Sequence, residues 1–192
     1  MKKVLVIVAH PDDEVIWMGG LLIRNKIKWD TTIISLCRAS DKDRNPKFQK
    51  VCKKLNVKGF IFDLNDKNLD SLNQEEILNI LKKFSGKYDY IFTHGKNGEY
   101  GHIRHKECNK TVIKCLNQGL LKSKNVFLFS YIKKENNYQN FCIYNSSADK
   151  LIKLNNKELS EKKYLIKKIY GFQKGGFEEK SCSKMETFDK LK

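Results

Sequence analysis

The first strand-like segment limits the fold most, because it is apolar on both of its faces. The run KVLVIVA, residues 3–9, has no polar side chain after its first lysine. A strand with one face in water alternates apolar and polar residues, whereas a parallel strand covered by helices on both faces is apolar throughout. The segment therefore predicts a central sheet between two layers of helices.

Segments with helical spacing alternate with further strand-like runs along the chain. We predict helices at 14–28, 47–55, 74–84, 102–120 and 157–170, and further strands at 31–37, 59–64, 88–94, 125–132 and 140–145. This alternation predicts an α/β protein with right-handed crossovers, in a Rossmann-like three-layer fold with a mostly parallel central sheet. The length, without a linker or an internal repeat, predicts one domain over residues 1–192.

The net charge of +16 comes mostly from lysines that are distributed along the whole chain. The sequence has no arginine-rich tract and no basic segment interleaved with aromatic residues. This pattern favours solvated lysine faces over a nucleic-acid interface, and we expect no nucleic-acid partner. An acidic substrate or an anionic membrane surface stays an open alternative use of the excess charge.

Six cysteines occur without a CxxC pair, several of them in apolar contexts such as SLCRA and IKCLN. This predicts free thiols in a reducing compartment rather than a disulfide framework. The apolar start is too short for a signal peptide, and no segment has the length of a transmembrane helix. We therefore expect a cytoplasmic protein.

Polar clusters directly follow the first and the fourth predicted strands. The first strand leads into HPDDE, residues 10–14, and the fourth ends at His94, with GHIRH following at 101–105. In a parallel α/β sheet, ligands bind beyond the carboxyl ends of the strands. Both clusters therefore lie where this architecture places its site, and we expect His94 to have a supporting or structural role there.

These clusters offer the donor groups of a catalytic zinc site. His102 and His105 lie three residues apart, on one face of a helical turn. His10 and one carboxylate of Asp12 or Asp13 can complete the set. Two histidines and one carboxylate suffice to hold zinc, and the second carboxylate is then free to act as a base. Helix capping is the simpler alternative for the two aspartates.

The motif AHPDDE after the first strand, together with GEYGHIRHKE, resembles the PIG-L/LmbE family of metal-dependent N-deacetylases. The resemblance is clear from residue 1 to about residue 120, and it extends more loosely to YGFQKGGFEEKSCSKMETF near the end. It implies a zinc enzyme, with Fe²⁺ as an alternative metal, that releases acetate from N-acetylglucosaminyl groups. By position in the motifs, His10, Asp13 and His105 match the metal ligands of the family, and Asp12 matches its general base.

The resemblance also implies roles for three further residues, and the chain departs from the family at a fourth. His102 matches a histidine that stabilises charge in the transition state, and Tyr100 matches a tyrosine that polarises the amide carbonyl. Arg44, in DKDRNPKF, matches an arginine near the sugar. Arg104 stands where many members have Asp or Asn. We expect it either to lie close to His102 and disfavour its protonation, or to point outward, exposed or bound to an anionic substrate group.

The resemblance thus implies hydrolysis of the N-acetyl amide of an N-acetylglucosamine-containing sugar or conjugate. The expected partner is a small molecule or glycan that carries an N-acetylated amino sugar. Two alternatives stay open: a metal-dependent amidase for a different N-acyl conjugate, and a non-catalytic sugar-binding relative. An assembly of identical chains is also compatible with the sequence.

Overall fold

The computed structural model describes residues 1–68, 70–136 and 139–192. The strands are β1 (Lys2–Val8), β2 (Trp29–Cys37), β3 (Lys58–Leu64), β4 (Gly86–Lys87), β5 (Tyr90–Thr93), β6 (Leu121–Lys122), β7 (Val126–Phe129), β8 (Tyr131–Asn136), β9 (Gln139–Tyr144), β10 (Lys150–Lys153) and β11 (Met185–Lys190). The helices are α1 (Asp13–Asn25), α2 (Arg44–Leu55), α3 (Gln74–Lys82), α4 (Gly98–Gly101), α5 (Ile103–Asn117), α6 (Asn156–Tyr164), a π-helix (Leu165–Tyr170) and α7 (Phe177–Ser181).

Within the described residues, seven strands form one sheet in the order β10-β11-β7-β5-β1-β2-β3. The strands from β7 to β3 run parallel to one another, and β11 and β10 join antiparallel at one side. This confirms the predicted α/β fold with a mostly parallel central sheet. The chain passes from β1 to β2 and β3 and then crosses back to β5 on the other side of β1. In open α/β sheets, such a reversal of strand order marks the ligand site.

The central strand β1 is covered on both faces, as its composition predicts. Val4, Val6 and Val8 pack into a core formed with α1, α2 and the π-helix. Leu5 and Ile7 point to the opposite face and pack into a second core with α3 and α5. All five side chains are fully buried, so β1 has no exposed edge or face that could shift in register.

Several element boundaries differ from those predicted. The expected strand at 125–132 is broken at Ser130, where the chain leaves the large sheet and enters the antiparallel pair β8–β9. The expected helix at 157–170 changes to a π-helix at Leu165. The expected helix at 14–28 ends at Asn25 and is interrupted at Met18, which has a non-helical φ of −145°. The sequence analysis missed β10 and β11.

Two further expectations concern thiols and membranes. The six cysteines are free and buried. Among the described residues, no helix combines the length and the apolar composition that crossing a bilayer requires.

Candidate metal centre

The turn after β1 brings His10 and Asp13 together. Asp13 is the first residue of α1, and its Oδ2 accepts a hydrogen bond from the His10 backbone N–H at 2.8 Å. His105 reaches the same oxygen from the first turn of α5. β1, β5 and the start of α5 lie side by side, and this brings together His10 and His105, which are 95 positions apart in the sequence. The motifs HPDDE and GHIRH therefore lie at one site, as the sequence predicts.

Three donor atoms form a nearly equilateral triangle. His10 Nδ1 lies 3.3 Å from Asp13 Oδ2, His105 Nε2 lies 3.4 Å from the same oxygen, and the two nitrogens are 3.3 Å apart. Zinc bonds to nitrogen and oxygen of about 2.0–2.1 Å place tetrahedral ligands about 3.3–3.4 Å from one another. The triangle therefore has the dimensions of one face of a tetrahedral zinc site.

Carboxylates behind the two histidines determine which ring nitrogen faces the triangle. Asp66 Oδ1 lies 3.1 Å from His10 Nε2, and Glu99 Oε2 lies 2.5 Å from His105 Nδ1. We assign the ring protons to these hydrogen bonds, which leaves an unshared electron pair on the nitrogen that faces Asp13. Three such acceptors at this distance repel one another unless a cation lies between them. The arrangement therefore fits a metal ion.

The electrostatics of the triangle agree with this fit. Burial opposes the charge on Asp13, but positive charge on His105 and His94 holds the pKa of its carboxyl well below the usual range in the metal-free protein. A metal ion at the triangle would supply positive charge in place of those protons. Asp13 is therefore ionised at neutral pH and available as a ligand. Its second oxygen, Oδ1, accepts a hydrogen bond from Trp17 Nε1 at 2.9 Å, which fixes the orientation of the carboxylate.

Asp66 and Glu99 are residues of this candidate site that were not predicted from the sequence. Asp66 also receives two hydrogen bonds from the Arg38 guanidinium, at 2.7 and 3.0 Å. Glu99 is 2 % exposed and also accepts from the Gly95 backbone N–H at 2.7 Å. A signal was present for each, since Asp66 follows the carboxyl end of β3 and Glu99 lies inside the GEYGH motif.

His94 supports the centre from behind His105. Its ring is fully buried and stacks on the His105 ring with the centroids 3.8 Å apart. The Ala9 backbone N–H donates to His94 Nε2 at 2.9 Å, while Nδ1 lies 2.8 Å from Glu99 Oε2. Because Nε2 accepts a backbone proton, its electron pair is occupied. These contacts agree with the supporting role expected for this histidine.

Asp12 lies beside the triangle rather than in it. Its Oδ2 is 3.3 Å from Arg44 Nη1. Burial and the neighbouring Asp13 carboxylate raise the pKa of Asp12 well above its ordinary value. The structure thus places Asp12 and Arg44 together, and it gives the two adjacent aspartates opposite electrostatic environments.

His102 and Tyr100 lie on the open side of the centre. His102 is the N-cap of α5, and its Nδ1 accepts from the Arg104 backbone N–H at 3.2 Å. Burial, with His105 and His10 nearby, lowers the pKa of His102 to about 4. His102 is therefore neutral, with its proton on Nε2. The Tyr100 ring lies 5.2 Å from the His105 ring, centroid to centroid.

A cleft of about 200 Å³ opens over these groups. Six of the residues that line it were predicted from the sequence to belong to the site: His10, Asp12, Asp13, Tyr100, His102 and Arg44. Aromatic and charged residues from later in the chain also line it. The remaining lining residues are Pro11, Ile16, Trp17, Arg38, Asp66, Phe172, Phe177 and Glu178.

The sequence profile of the PIG-L family, described as GlcNAc-PI de-N-acetylase, matches residues 5–116. The chain belongs to the PIG-L family. The match contains both histidine motifs, so the residues that build the donor triangle lie inside the shared region. An uncharacterised protein of Acanthamoeba polyphaga mimivirus is 31% identical over 122 residues, which cover 55% of this chain and 54% of that protein. The chain thus spans about half of the length of the curated relative it matches.

Solved structures share the fold of this PIG-L chain. A conserved protein from Thermus thermophilus matches with a TM-score of 0.70 at 15% identity, over 98% of this chain and 94% of that one. GalB, the 4-carboxy-2-hydroxymuconate hydratase of Pseudomonas putida, matches with 0.60 at 14% identity, over 86% and 78%. A deacetylase triple mutant of the teicoplanin biosynthetic pathway matches with 0.60 at 13% identity, over 88% and 82%.

Arg104 is the position at which this PIG-L chain differs most from expectation. Its side chain is 1 % exposed rather than directed outward. Nε donates to the Asn65 carbonyl and Nη2 to the Asn68 carbonyl, both at 2.8 Å, and Nη1 donates to Glu107 at 2.7 Å. These partners occupy the guanidinium, so the expectation of an exposed or substrate-binding arginine is wrong. Arg104 instead holds the loop that carries Asp66.

Proposed function

We propose that this protein hydrolyses the N-acetyl amide of an N-acetylglucosamine-containing sugar or conjugate, with zinc or Fe²⁺ held by His10, Asp13 and His105. The observation that carries the proposal is the donor triangle, in which Asp66 and Glu99 direct the unprotonated histidine nitrogens toward the ionised Asp13. Membership of the PIG-L family supports a deacetylase reaction. The buried free thiols support a reducing, cytoplasmic location.

Asp12 is placed to accept a proton from the attacking water. His10, Asp13 and His105 would hold a divalent ion, which would supply Lewis acidity to the amide carbonyl and lower the pKa of water to about 7. A general base works best when its pKa is close to the operating pH, and burial and Asp13 raise the pKa of Asp12 in that direction. Arg44, at 3.3 Å, favours the ionised carboxylate that must take the proton.

His102 and Tyr100 are placed to stabilise the oxyanion that forms on the carbonyl oxygen. Because His102 accepts at Nδ1, its Nε2–H is a neutral donor rather than part of an imidazolium. The Tyr100 hydroxyl is the second donor. Oxyanion donors of this kind contribute about 3–4 kcal/mol each in other hydrolases. The amide C–N bond then breaks, protonated Asp12 returns its proton to the leaving amine, and acetate and the amino sugar are released.

Acetate release from a panel of substrates tests the proposal. The panel contains free N-acetylglucosamine, its lipid-, nucleotide- and malate-linked forms, and short chitooligosaccharides, each with the zinc-loaded protein and with a chelator. We expect chelator-sensitive release from one class of substrate. Release of a longer acyl group, with none of acetate, would instead indicate an amidase for a different N-acyl conjugate. The absence of any turnover at full metal occupancy would favour a non-catalytic sugar-binding protein.

A hydratase reaction is the second candidate. Two guanidinium groups, Arg38 and Arg44, line the cleft and suit a dicarboxylate substrate. GalB, which shares the fold, is named as a hydratase of 4-carboxy-2-hydroxymuconate. Loss of the absorbance of this conjugated substrate with the zinc-loaded protein would favour hydration, whereas an unchanged spectrum alongside acetate release would exclude it.

A further inference from the structure

The backbone of Asp12 is held in a conformation that aspartate rarely adopts. Its φ is 121° and its ψ is −32°, in a region where a side chain is strained. Such a conformation persists where the surroundings fix it. The Val15 and Ile16 backbone N–H groups donate to the Asp12 carbonyl at 2.9 Å, and the Asp12 N–H donates to Glu14 Oε2 at 3.0 Å. The side chain of Glu14 therefore helps to fix the strained residue.

Glu14 is in turn fixed by a residue from the far end of the chain. Its side chain is fully buried, and its second oxygen, Oε1, accepts from the Tyr170 hydroxyl at 2.6 Å. Tyr170 is 2 % exposed and is the last residue of the π-helix. Without this hydroxyl, Glu14 Oε1 would be buried without its donor, and the carboxylate would have to turn or recruit water.

The residues after the π-helix reach Asp12 by a second route. Gly171, with φ of 82°, turns the chain so that the Phe172 ring lies 4.2 Å from Cζ of Arg44. Arg44 Nη1 is 3.3 Å from Asp12 Oδ2. Residues 165–172, which we call the C-terminal segment, thus contact the main chain of Asp12 through Glu14 and its side chain through Arg44. π-Helices are frequent at functional sites.

We propose that the C-terminal segment positions the general base of this enzyme, with Tyr170 acting through Glu14 and Phe172 acting through Arg44. The segment lies outside residues 5–116, to which the family profile extends. The inference rests on the proposed function, because it takes Asp12 as the base. Tyr170 and Phe172 are positioning residues, which hold Asp12 in the orientation that proton transfer requires, and Phe172 also lines the cleft.

The test compares Tyr170→Phe with Tyr88→Phe. Tyr88 is also buried and donates a hydrogen bond from its hydroxyl, to the Phe84 carbonyl at 2.8 Å, but at the opposite end of the sheet. Each variant loses one hydroxyl and one hydrogen bond, so a merely structural effect is expected in both. We expect Tyr170→Phe to lower kcat by about tenfold, with KM within about twofold and the metal content unchanged. Tyr88→Phe leaves kcat unchanged.

A second readout needs neither metal nor substrate. The hydrogen exchange rate of the Asp12 backbone amide, measured by NMR on the metal-free protein, reports directly on its bond to Glu14. We expect at least about tenfold faster exchange in Tyr170→Phe and no change in Tyr88→Phe. In an active enzyme the proposal requires both changes, and the absence of either one overturns it. If the unmodified protein releases no acetate, the proposed function fails, and the exchange rate alone decides whether the segment holds Asp12.

Phe172→Leu provides an independent variant if Tyr170→Phe does not fold. Leucine keeps an apolar side chain in the cleft wall and removes the ring from the Arg44 guanidinium. The matched control is Phe62→Leu, whose ring lies 5.6 Å from Lys83 Nζ and packs against the core on the opposite face of the sheet. We expect kcat to fall about threefold in Phe172→Leu and to stay unchanged in the control. An unchanged kcat in Phe172→Leu would overturn the role of this side chain.

Discussion

Asp12 and Asp13 are adjacent carboxylates whose neighbours push their pKa values in opposite directions. The histidines around Asp13 hold its pKa low in spite of burial, whereas burial and the charge of Asp13 raise the pKa of Asp12. Pairs of this kind assign roles in many active sites. The carboxylate with the low pKa suits a metal ligand, and the one with the raised pKa suits a proton acceptor.

Replacing Asp12 by Asn separates these two roles. Because Asp12 lies outside the donor triangle, we expect Asp12→Asn to keep the zinc content of the unmodified protein. We expect kcat to fall by about 10²–10⁴-fold, the usual contribution of a general base. Asp30→Asn, which changes an exposed partner of Lys58 at the other end of the sheet, is the matched control. If Asp12→Asn retains half of the turnover, Asp12 is not the base.

Asp66 Oδ1 lies 3.1 Å from His10 Nε2, and in the proposed metal centre this contact orients the His10 ring. We expect Asp66→Asn to weaken zinc binding by about 10- to 100-fold, the usual effect of losing a carboxylate that orients a ligand histidine. Competition with a chromophoric chelator measures the affinity. Asp63→Asn is the control, since Asp63 accepts from the Ser40 backbone and hydroxyl at 2.9 and 3.0 Å. Equal zinc affinities in the two variants would contradict the assignment.

The proximity of His10, Asp13 and His105 was predictable from sequence, because all three lie close to strand ends. His10 and Asp13 share one turn, and His105 opens a helix after a neighbouring strand. Asp66 and Glu99 were not assigned in advance, because the contact of Asp66 with His10 joins residues 56 positions apart and depends on the path of a loop. A motif specifies which residues are near in sequence, whereas tertiary packing decides which carboxylate lies behind which ring.

At the scale of elements, one buried arginine connects α5 to the loop after β3. Arg104 donates to two backbone carbonyls of that loop, at residues 65 and 68, and to Glu107. This loop carries Asp66, which contacts His10 Nε2. Sequence alone left open whether Arg104 lies close to His102 or points outward, because helical spacing does not show that a loop folds over that position.

Truncation of Arg104 is expected to destabilise both the fold and the metal centre. Arg104→Ala leaves two carbonyls and the Glu107 carboxylate without their donor, and we expect a loss of about 3 kcal/mol in the free energy of unfolding. Urea denaturation of the metal-free protein measures this loss. The control Lys106→Ala, at an exposed position of the same helix, should change it by less than about 0.5 kcal/mol. A similar value for both variants would contradict the account.

The start of α6 makes a prediction about pH. Arg24 donates to Glu158, which also forms a capping box with Asn155, and these hydrogen bonds lower the pKa of the Glu158 carboxyl. A lowered pKa in the folded state stabilises the fold above the unfolded value of about 4.3, and this contribution is lost as the pH falls below it. The difference in unfolding free energy between the unmodified protein and Glu158→Gln should therefore be full at pH 7 and shrink as the pH falls below about 4.3. If this difference in unfolding free energy stays constant as the pH falls below about 4.3, the Glu158 carboxylate does not stabilise the fold in this way.

The pattern of elements was predicted more completely than their pairing. Alternation of strands and helices gave the parallel part of the sheet, since β1, β2, β3 and β5 are each apolar runs between helical segments. The antiparallel strand β10 was missed because KLIK is short and half of it is lysine. The π-helix was read as regular helix, because the spacing of apolar residues over a single turn does not distinguish the two.

At the scale of the molecule, the net charge of the chain is opposite in sign to the charge of the cleft. The chain carries +16, yet the cleft is lined by more carboxylates than guanidinium groups: Asp12, Asp13, Asp66 and Glu178 against Arg38 and Arg44. Among the described residues that line the cleft there is no lysine, whereas the strand order gathers acidic side chains at the carboxyl ends of β1 and β3. An acidic cleft favours a divalent cation, which agrees with the donor triangle.

The most direct test of the proposed metal centre is a zinc titration of the metal-stripped protein, with acetate release from its best substrate as the readout. We expect no release from the stripped protein and a linear recovery of release as zinc is added. The recovery should saturate at about one zinc per chain, the number that a single three-residue site can hold. Full activity without metal, or no recovery when one zinc is bound, would contradict the assignment of His10, Asp13 and His105 as the catalytic metal centre.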